Sequence, residues 1–279
     1  MRVDDDDGWL SCLFAEGAKR LGAAPCGEPT PSASGDNIGG PVLHNGEQVW
    51  LRVAPYNESA MDMSAWTGTR DAGRLTGIRK PLLIDSTEWV HMNPVPIPVW
   101  AGLMTLVTDD VAAPGDQYLA EPLTLSSEWL HDLRASLEAL AAHPTGRAFW
   151  AHSAERYGYL LHAVYGRALP ADIEPAWGRT EHLDLHWGNV TVPSLTIIDW
   201  EHWGAGVAGY GAARLYCTAL AVPTVADQLY GAFADVLDSP SGRYAQLVAA
   251  ADILINVAYY EDSVDLCPAL HDLARKIMG

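Results

Sequence analysis

The sequence predicts an α+β chain of two lobes, a small strand-rich one followed by a larger, mostly helical one. Three observations carry this. The length, 279 residues, is about twice that of an average domain. Through the first part of the chain the apolar residues fall in short β-prone runs punctuated by Gly, Pro and Asn-Gly. From Ser127 onward they recur at helical spacing instead. The expected boundaries are 1–110 for the first lobe and 111–279 for the second.

Within the first lobe, an Asn45-Gly46 turn ahead of the β-prone run Gln48 to Val53 reads as a hairpin. Further strand-like runs are Pro81 to Ile84, Glu88 to His91 and Val99 to Val107, the last two separated by Pro94-Val-Pro96-Ile-Pro98. In the second lobe Trp129, Leu130, Leu133, Leu137 and Leu140 share one helical face behind a Ser126-Ser127 cap, so a helix is expected to about Ala142. Residues 153–165, 225–237, 243–259 and 268–277 also read as helices. This helical pattern is interrupted at 180–201.

Composition excludes several classes. With 17 Lys and Arg against 35 Asp and Glu, the net charge is −18, and no basic face is available for a phosphate backbone, so nucleic acid is not an expected partner. Apolar runs such as Leu247 to Leu254 are short and broken by Asp252, far below the roughly 20 residues a bilayer span needs. No membrane association is expected. The acidic run Asp4 to Asp7 stands where a signal peptide would carry positive charge, which reads as a cytoplasmic protein with a solvated terminus. Cys12, Cys26, Cys217 and Cys267 lack metal or disulfide spacing and read as reduced, buried thiols.

The chemistry concentrates in one segment, His182-Leu-Asp184-Leu-His186-Trp-Gly188-Asn189, followed by Val190 to Val192, a Pro193-Ser194 turn and the apolar strand Leu195 to Ile198 ending on Asp199. A hairpin over 190–198 would gather Asp184, Asn189 and Asp199 at one end of a ribbon. Phosphoryl transfer needs such a group: a carboxylate to orient and deprotonate a hydroxyl, and oxygen ligands for Mg²⁺. A rival pattern is the alternation His182, Asp184, His186, which could form a 2-His-1-carboxylate metal site but leaves Asn189 and Asp199 without a purpose. Trp187, Trp200 and Trp203 flank the segment and could stack on a nucleotide, hold a cation or simply pack in the core.

His182-x-Asp184-x-x-x-x-Asn189, then Ile197-Ile-Asp199-Trp-Glu201, Gly204, Gly206 and Tyr210, resembles the signature of the aminoglycoside phosphotransferase and choline kinase family, whose fold is the two-lobed protein-kinase-like one. The resemblance covers about 35 residues, and the lobe order fits over the whole chain. It implies Asp184 as catalytic base, Asn189 and Asp199 as metal ligands and His182 as a residue shaping the loop. It further implies residues 35–40, with Gly39 and Gly40, as a nucleotide-covering loop, and a hinge for the base within Ala101 to Asp109. Mg²⁺ and ATP or GTP are the implied cofactor and co-substrate. The implied partner is a hydroxyl-bearing acceptor, a small molecule or a peptide Ser/Thr, with a cationic one suited to the acidic chain.

Two departures stand out. The family places a Lys on the third strand, but Lys19, Lys80 and Lys276 do not fit that position, and Val49-Trp-Leu-Arg52-Val offers Arg52. Its acidic helix partner would come from Glu58, Asp62 or Asp71, with Asp71 favoured. Tyr210 is followed by Gly211 where many relatives carry an Asp that braces the catalytic loop. These departures motivate an alternative: a degenerate kinase-like protein that binds a nucleotide or partner without turnover.

Overall fold

The computed structural model describes residues 8–32, 35–56, 63–260 and 266–279. The Asp4 to Asp7 run and the candidates Glu58 and Asp62 lie outside these residues. By its internal contacts the chain divides into two units, one of Met1–Arg74 with Lys80–Thr108, the other of Leu75–Arg79 with Asp109–Gly279.

Unit 1 contains α1 (Trp9–Arg20), β1 (Ala24–Pro25), β2 (Thr30–Pro31), β3 (Ile38–His44), β4 (Glu47–Pro55), α2 (Met63–Ala72), β5 (Leu83–Asn93) and β6 (Val95–Thr105). Its antiparallel sheet runs β1-β3-β4-β6-β5, with β2 also beside β3. The β3–β4 hairpin turns on Asn45 and Gly46, whose φ values of 52° and 85° are the pair a two-residue primed turn requires. Alternation along β4 divides the sheet's faces. Val49, Leu51 and Val53 pack with Leu10, Leu13 and Phe14 of α1, while Ala54 and Trp100 pack with Trp66 of α2, whose indole donates to the Ala54 carbonyl at 2.9 Å.

The sequence reading differs from unit 1 in two respects. Both helices were missed, although Leu10, Leu13, Phe14, Gly17 and Ala18 are the buried stripe of α1 at helical spacing. The three separate strand runs are in fact two long strands, the first continuous through a bulge between Leu83 and Asp85, the second running through the prolines. Pro96 and Pro98 are tolerated because Pro98 turns its carbonyl toward the β4 side, accepting from Tyr56 N at 2.7 Å. β4 ends opposite Val99, so the ring nitrogens of both prolines face a stretch with no ladder to complete.

Unit 2 contains β7 (Asp110–Val111), α3 (Ser127–Ala142), α4 (Ala154–Tyr165), β8 (Trp177–His182), β9 (Thr191–Val192), β10 (Trp203–Val207), α5 (Tyr210–Cys217), α6 (Pro223–Leu237), α7 (Pro240–Tyr260) and α8 (Cys267–Met278). The α3 prediction holds, with the Ser126 hydroxyl accepting from Trp129 N at 3.0 Å. The other four helix predictions hold to within a few residues, and α5 was missed. Helix α7 packs on α4, α5, α6 and α8, so Ala245 and Leu247 to Ala251 are all buried rather than confined to one stripe. Trp129 and Trp187 stack with centroids 6.0 Å apart, their indoles donating to Thr191 O and Leu215 O. The four cysteines are free, but only Cys217 is buried, and Cys12 and Cys26 are exposed, contrary to the expectation of four buried thiols. Among the described residues no helix is long and apolar enough to cross a membrane.

Candidate active site

The site is an excursion between two paired strands. β8 and β10 are antiparallel with His182 opposite Trp203, and Leu183 N donates to His202 O at 2.8 Å, so the chain departs after His182 and returns at Trp203. His182 anchors the base of this excursion. Its ring is buried edge-on against Trp200, 4.9 Å between centroids, and Nε2 lies 3.3 Å from Ile198 O. Burial pushes its pKa down to about 4 despite Asp184 and Asp199 nearby, which leaves a neutral imidazole serving as a spacer.

Within the excursion a tight turn at Trp187–Asn189 leads to a single bridge between Val190 and Ile197 around Pro193-Ser194. The expected ribbon is thus minimal, because β9 pairs with β7 rather than with 195–198. It still gathers the three polar residues. Asn189 Nδ2 donates to the Asp184 carbonyl at 2.9 Å, and Asn189 O accepts from Ile198 N at 2.9 Å, which sets Asp199 one residue farther on.

Asp184 sits in the wall of a cavity of about 270 Å³ that also involves His152, Tyr157, Tyr210, Arg214 and Asp252. About a third of its side chain, 34%, is open. Oδ2 lies 3.5 Å from His186 Nε2 and Oδ1 3.6 Å from Arg214 Nη2. His186 Nδ1 lies 3.1 Å from Gly188 N and its Nε2 3.1 Å from Asn189 Nδ2, so the ring ties the turn and Asn189 to the Asp184 carboxylate. Burial alone would raise the Asp184 pKa, but His186 and Arg214 overcome it and hold the group well below the usual carboxylate range. On the cavity's far side, burial and the nearby Arg214 push the His152 pKa down to about 3, and its Nδ1 is 2.7 Å from Tyr157 OH.

Asp199 has φ of 58°, a left-handed conformation that Asp tolerates better than most residues and that sets its direction at the end of the strand-like run. With Asn189 Nδ2 committed to the Asp184 carbonyl, Oδ1 is the amide atom left to face a cation. Asn189 and Asp199 together offer hard oxygen donors, too few for an all-protein cage and suited to Mg²⁺ that takes its remaining ligands from phosphate and water. The rival centre is not assembled: among the described residues no three His, Cys, Asp or Glu side chains group so as to hold a metal ion. Trp187, Trp200 and Trp203 are all buried in the core.

Sequence reasoning missed four supporting residues. Glu181, buried in β8, accepts from Gly209 N at 2.8 Å and Gly211 N at 3.1 Å, tying the start of α5 to the strand that carries His182. A carboxylate thus braces this turn although position 211 is glycine; it comes from β8. Arg214, Asp252 and Gln117 form a second brace behind Asp184. The signal available for it was Asp252, a lone charge inside the apolar run 247–254.

No family model and no curated protein matches the sequence. Solved structures do match. A thermostable mutant of aminoglycoside phosphotransferase APH(4)-Ia, in ternary complex with ADP and hygromycin B, superimposes with TM-score 0.58 at 11% identity over 99% of this chain and 100% of that one. Macrolide 2'-phosphotransferase MphH from Brachybacterium faecium gives 0.56 at 13% identity, covering 93% and 98%. A microcompartment-associated aminopropanol kinase gives 0.51 at 15%, covering 89% of each. The chain has the aminoglycoside phosphotransferase fold.

In this phosphotransferase-like fold the remaining predicted residues all lie in unit 1. Arg52 is mid-strand in β4, opposite Gly39 of β3 and Gly102 of β6. Asp71 is on α2, where its Oδ1 accepts from Arg70 Nε at 3.3 Å, and Arg70 also pairs with Glu88 at 2.7 Å. The expected covering loop over 35–40 is corrected: Ile38, Gly39 and Gly40 belong to β3. Both glycines answer to packing. A Cβ on Gly39 would fall 2.7 Å from the Trp50 indole, and one on Gly40 2.8 Å from Pro29 Cα. The expected hinge segment begins inside β6, which ends at Thr105.

Proposed function

We propose that the chain is a Mg²⁺-dependent kinase that moves the γ-phosphate of ATP or GTP to a hydroxyl of an acceptor, either a small molecule, antibiotic-like or metabolite, or a peptide Ser/Thr. The observation that carries this reading is Asp184: an ionised, part-open carboxylate in a cavity wall, joined through Asn189 to the strand end that bears Asp199. The superimposable phosphotransferases, one of them holding ADP and an antibiotic, support it as analogy.

In this scheme the acceptor hydroxyl enters the cavity and donates its hydrogen bond to Asp184. Its oxygen forms the new bond to the γ-phosphorus, the bond from that phosphorus to the β–γ bridging oxygen breaks, and the hydroxyl proton passes to the Asp184 carboxylate. A carboxylate held far below its ordinary pKa is a weak base, so its main contribution is orientation, with the proton leaving late in a loose transition state. Asn189 and Asp199 would hold Mg²⁺, which neutralises phosphate charge when bound. Arg52 is the unit 1 cation assigned to nucleotide phosphate, with Asp71 in a supporting role. The cavity, about 270 Å³, lies just below the usual ligand-pocket range of roughly 300–1,000 Å³ and suits a compact acceptor or one ring of a larger one.

The test is phosphate transfer from labelled ATP and GTP, with Mg²⁺ or with chelator, to a panel of amino alcohols, aminoglycosides, macrolides, sugars and Ser/Thr peptides. Mg²⁺-dependent labelling of an acceptor is expected. Tight nucleotide binding with neither transfer nor nucleotide hydrolysis would favour the degenerate reading.

A further inference from the structure

Arg214 is a fully charged side chain only 5% exposed, in the first turns of α5. Burying a guanidinium is costly unless it is paired; three groups pair with its two terminal nitrogens, while its buried Nε makes no hydrogen bond among the described residues. Nη1 donates to Asp252 Oδ2 at 3.1 Å, Nη2 donates to Gln117 Oε1 at 2.9 Å, and Nη2 stands 3.6 Å from Asp184 Oδ1. These partners come from separate parts of unit 2: Asp252 from α7, Gln117 from the loop before α3, and Asp184 from the excursion after β8. The two closer contacts fix the guanidinium from behind. Its contact with Asp184 is the longer, so Asp184 meets a charge whose place is already determined.

We propose that Arg214 is the positioning residue of this site, setting the direction of the Asp184 carboxylate toward the acceptor, with Asp252 and Gln117 fixing Arg214 itself. The inference rests on the kinase reading for its consequence in turnover, but not for its geometry. The planar fork matters more than the charge, since one guanidinium spans Asp252 on one nitrogen and Gln117 and Asp184 on the other. Lysine has a single ammonium and cannot serve both sides.

Arg214→Met, Arg214→Lys and the double variant Arg214→Met/Asp252→Asn, which leaves no unpaired acid behind, would be compared with wild type by crystal structure, nucleotide titration and steady-state transfer. In Arg214→Met and in the double variant, Asp184 should leave its present side-chain conformation. kcat should fall by about 10²-fold, the scale of a roughly 1 Å misplacement, with KM for nucleotide and nucleotide affinity unchanged. Arg214→Lys should recover only a minor part of kcat. Asp184 unmoved in both folded Met variants would overturn the proposal whether or not the wild type is active. So would wild-type kcat in Arg214→Lys. Wild-type inactivity on every acceptor with Asp184 displaced in the variants would instead refute the kinase reading and leave the positioning role supported.

Discussion

The role proposed for Asp184 requires it to be ionised and still reachable; His186 and Arg214 meet the first demand and the open third of the side chain the second. Asp184→Asn preserves size and the Asn189 bond to the main-chain carbonyl, so nucleotide affinity should be unchanged while transfer falls roughly 10²–10⁴-fold. Isothermal titration beside a transfer assay separates the two, and an active Asn variant would remove Asp184 from the reaction. Arg52 belongs to the same scale. If its guanidinium bonds a nucleotide phosphate, Arg52→Ala should weaken nucleotide binding by about 1.5–3 kcal/mol, and an unaltered Kd would return it to a structural role in β4. At this scale the sequence was legible where chemistry demands fixed spacing: Asp184, Asn189 and Asp199 all fall on one excursion, with His182 at its base. It was illegible for Arg214, Gln117 and Asp252, which lie between 38 and 135 residues apart along the chain and meet only through packing of α5 on α7 and the Gln117 contact from the loop before α3.

Elements show a similar division. The α3 helix announced itself through an apolar stripe and a serine cap, both local signals, and both are present in the structure. α5 is eight residues long and starts on Gly209, Tyr210 and Gly211; glycine costs helix stability, and the compensation is a carboxylate from β8 that no local pattern reveals. That carboxylate, Glu181, makes a prediction. Burial lifts its pKa to about 7, though Gly211 N, Gly209 N and Arg179 pull it down. A folded pKa above the unfolded value, about 4.3, means the native state binds the proton more tightly. The associated stability is present below about pH 4 and is lost as pH rises through about 7. Glu181→Gln keeps the shape and cannot ionise, so the stability difference between variant and wild type should shift in the variant's favour by about 3 kcal/mol between pH 4 and pH 8. Denaturant titrations at the two pH values measure it, and parallel curves would show that the N–H bonds from Gly209 and Gly211 hold Glu181 at an ordinary pKa.

The whole molecule carries a charge of −18, and a nucleotide is itself a polyanion, so binding has to be organised against a repulsive field. On the proposed kinase reading Arg52 would be one local answer, and a divalent cation held by Asn189 and Asp199 the other. Mg²⁺ would then be a condition of binding and not only of chemistry. A ligand at one hundred times its Kd adds about 2.7 kcal/mol to the stability of the state that binds it, which for a unit of 150–250 residues raises Tm by roughly 5–10 °C. Wild type should show such a rise with ATP and Mg²⁺ together and little with either alone. Asp199→Ala should lose the rise, but alanine is also strained at φ 58°, by about 1–2 kcal/mol, so its absolute Tm will fall for a reason unrelated to metal. Asp199→Asn separates the effects, because asparagine accepts the left-handed conformation while giving up the charge. It should keep the ligand-free Tm near wild type and still show a much smaller nucleotide-dependent rise. A full rise in the Asn variant would mean that the cation is held elsewhere, and that Asp199 serves the fold alone.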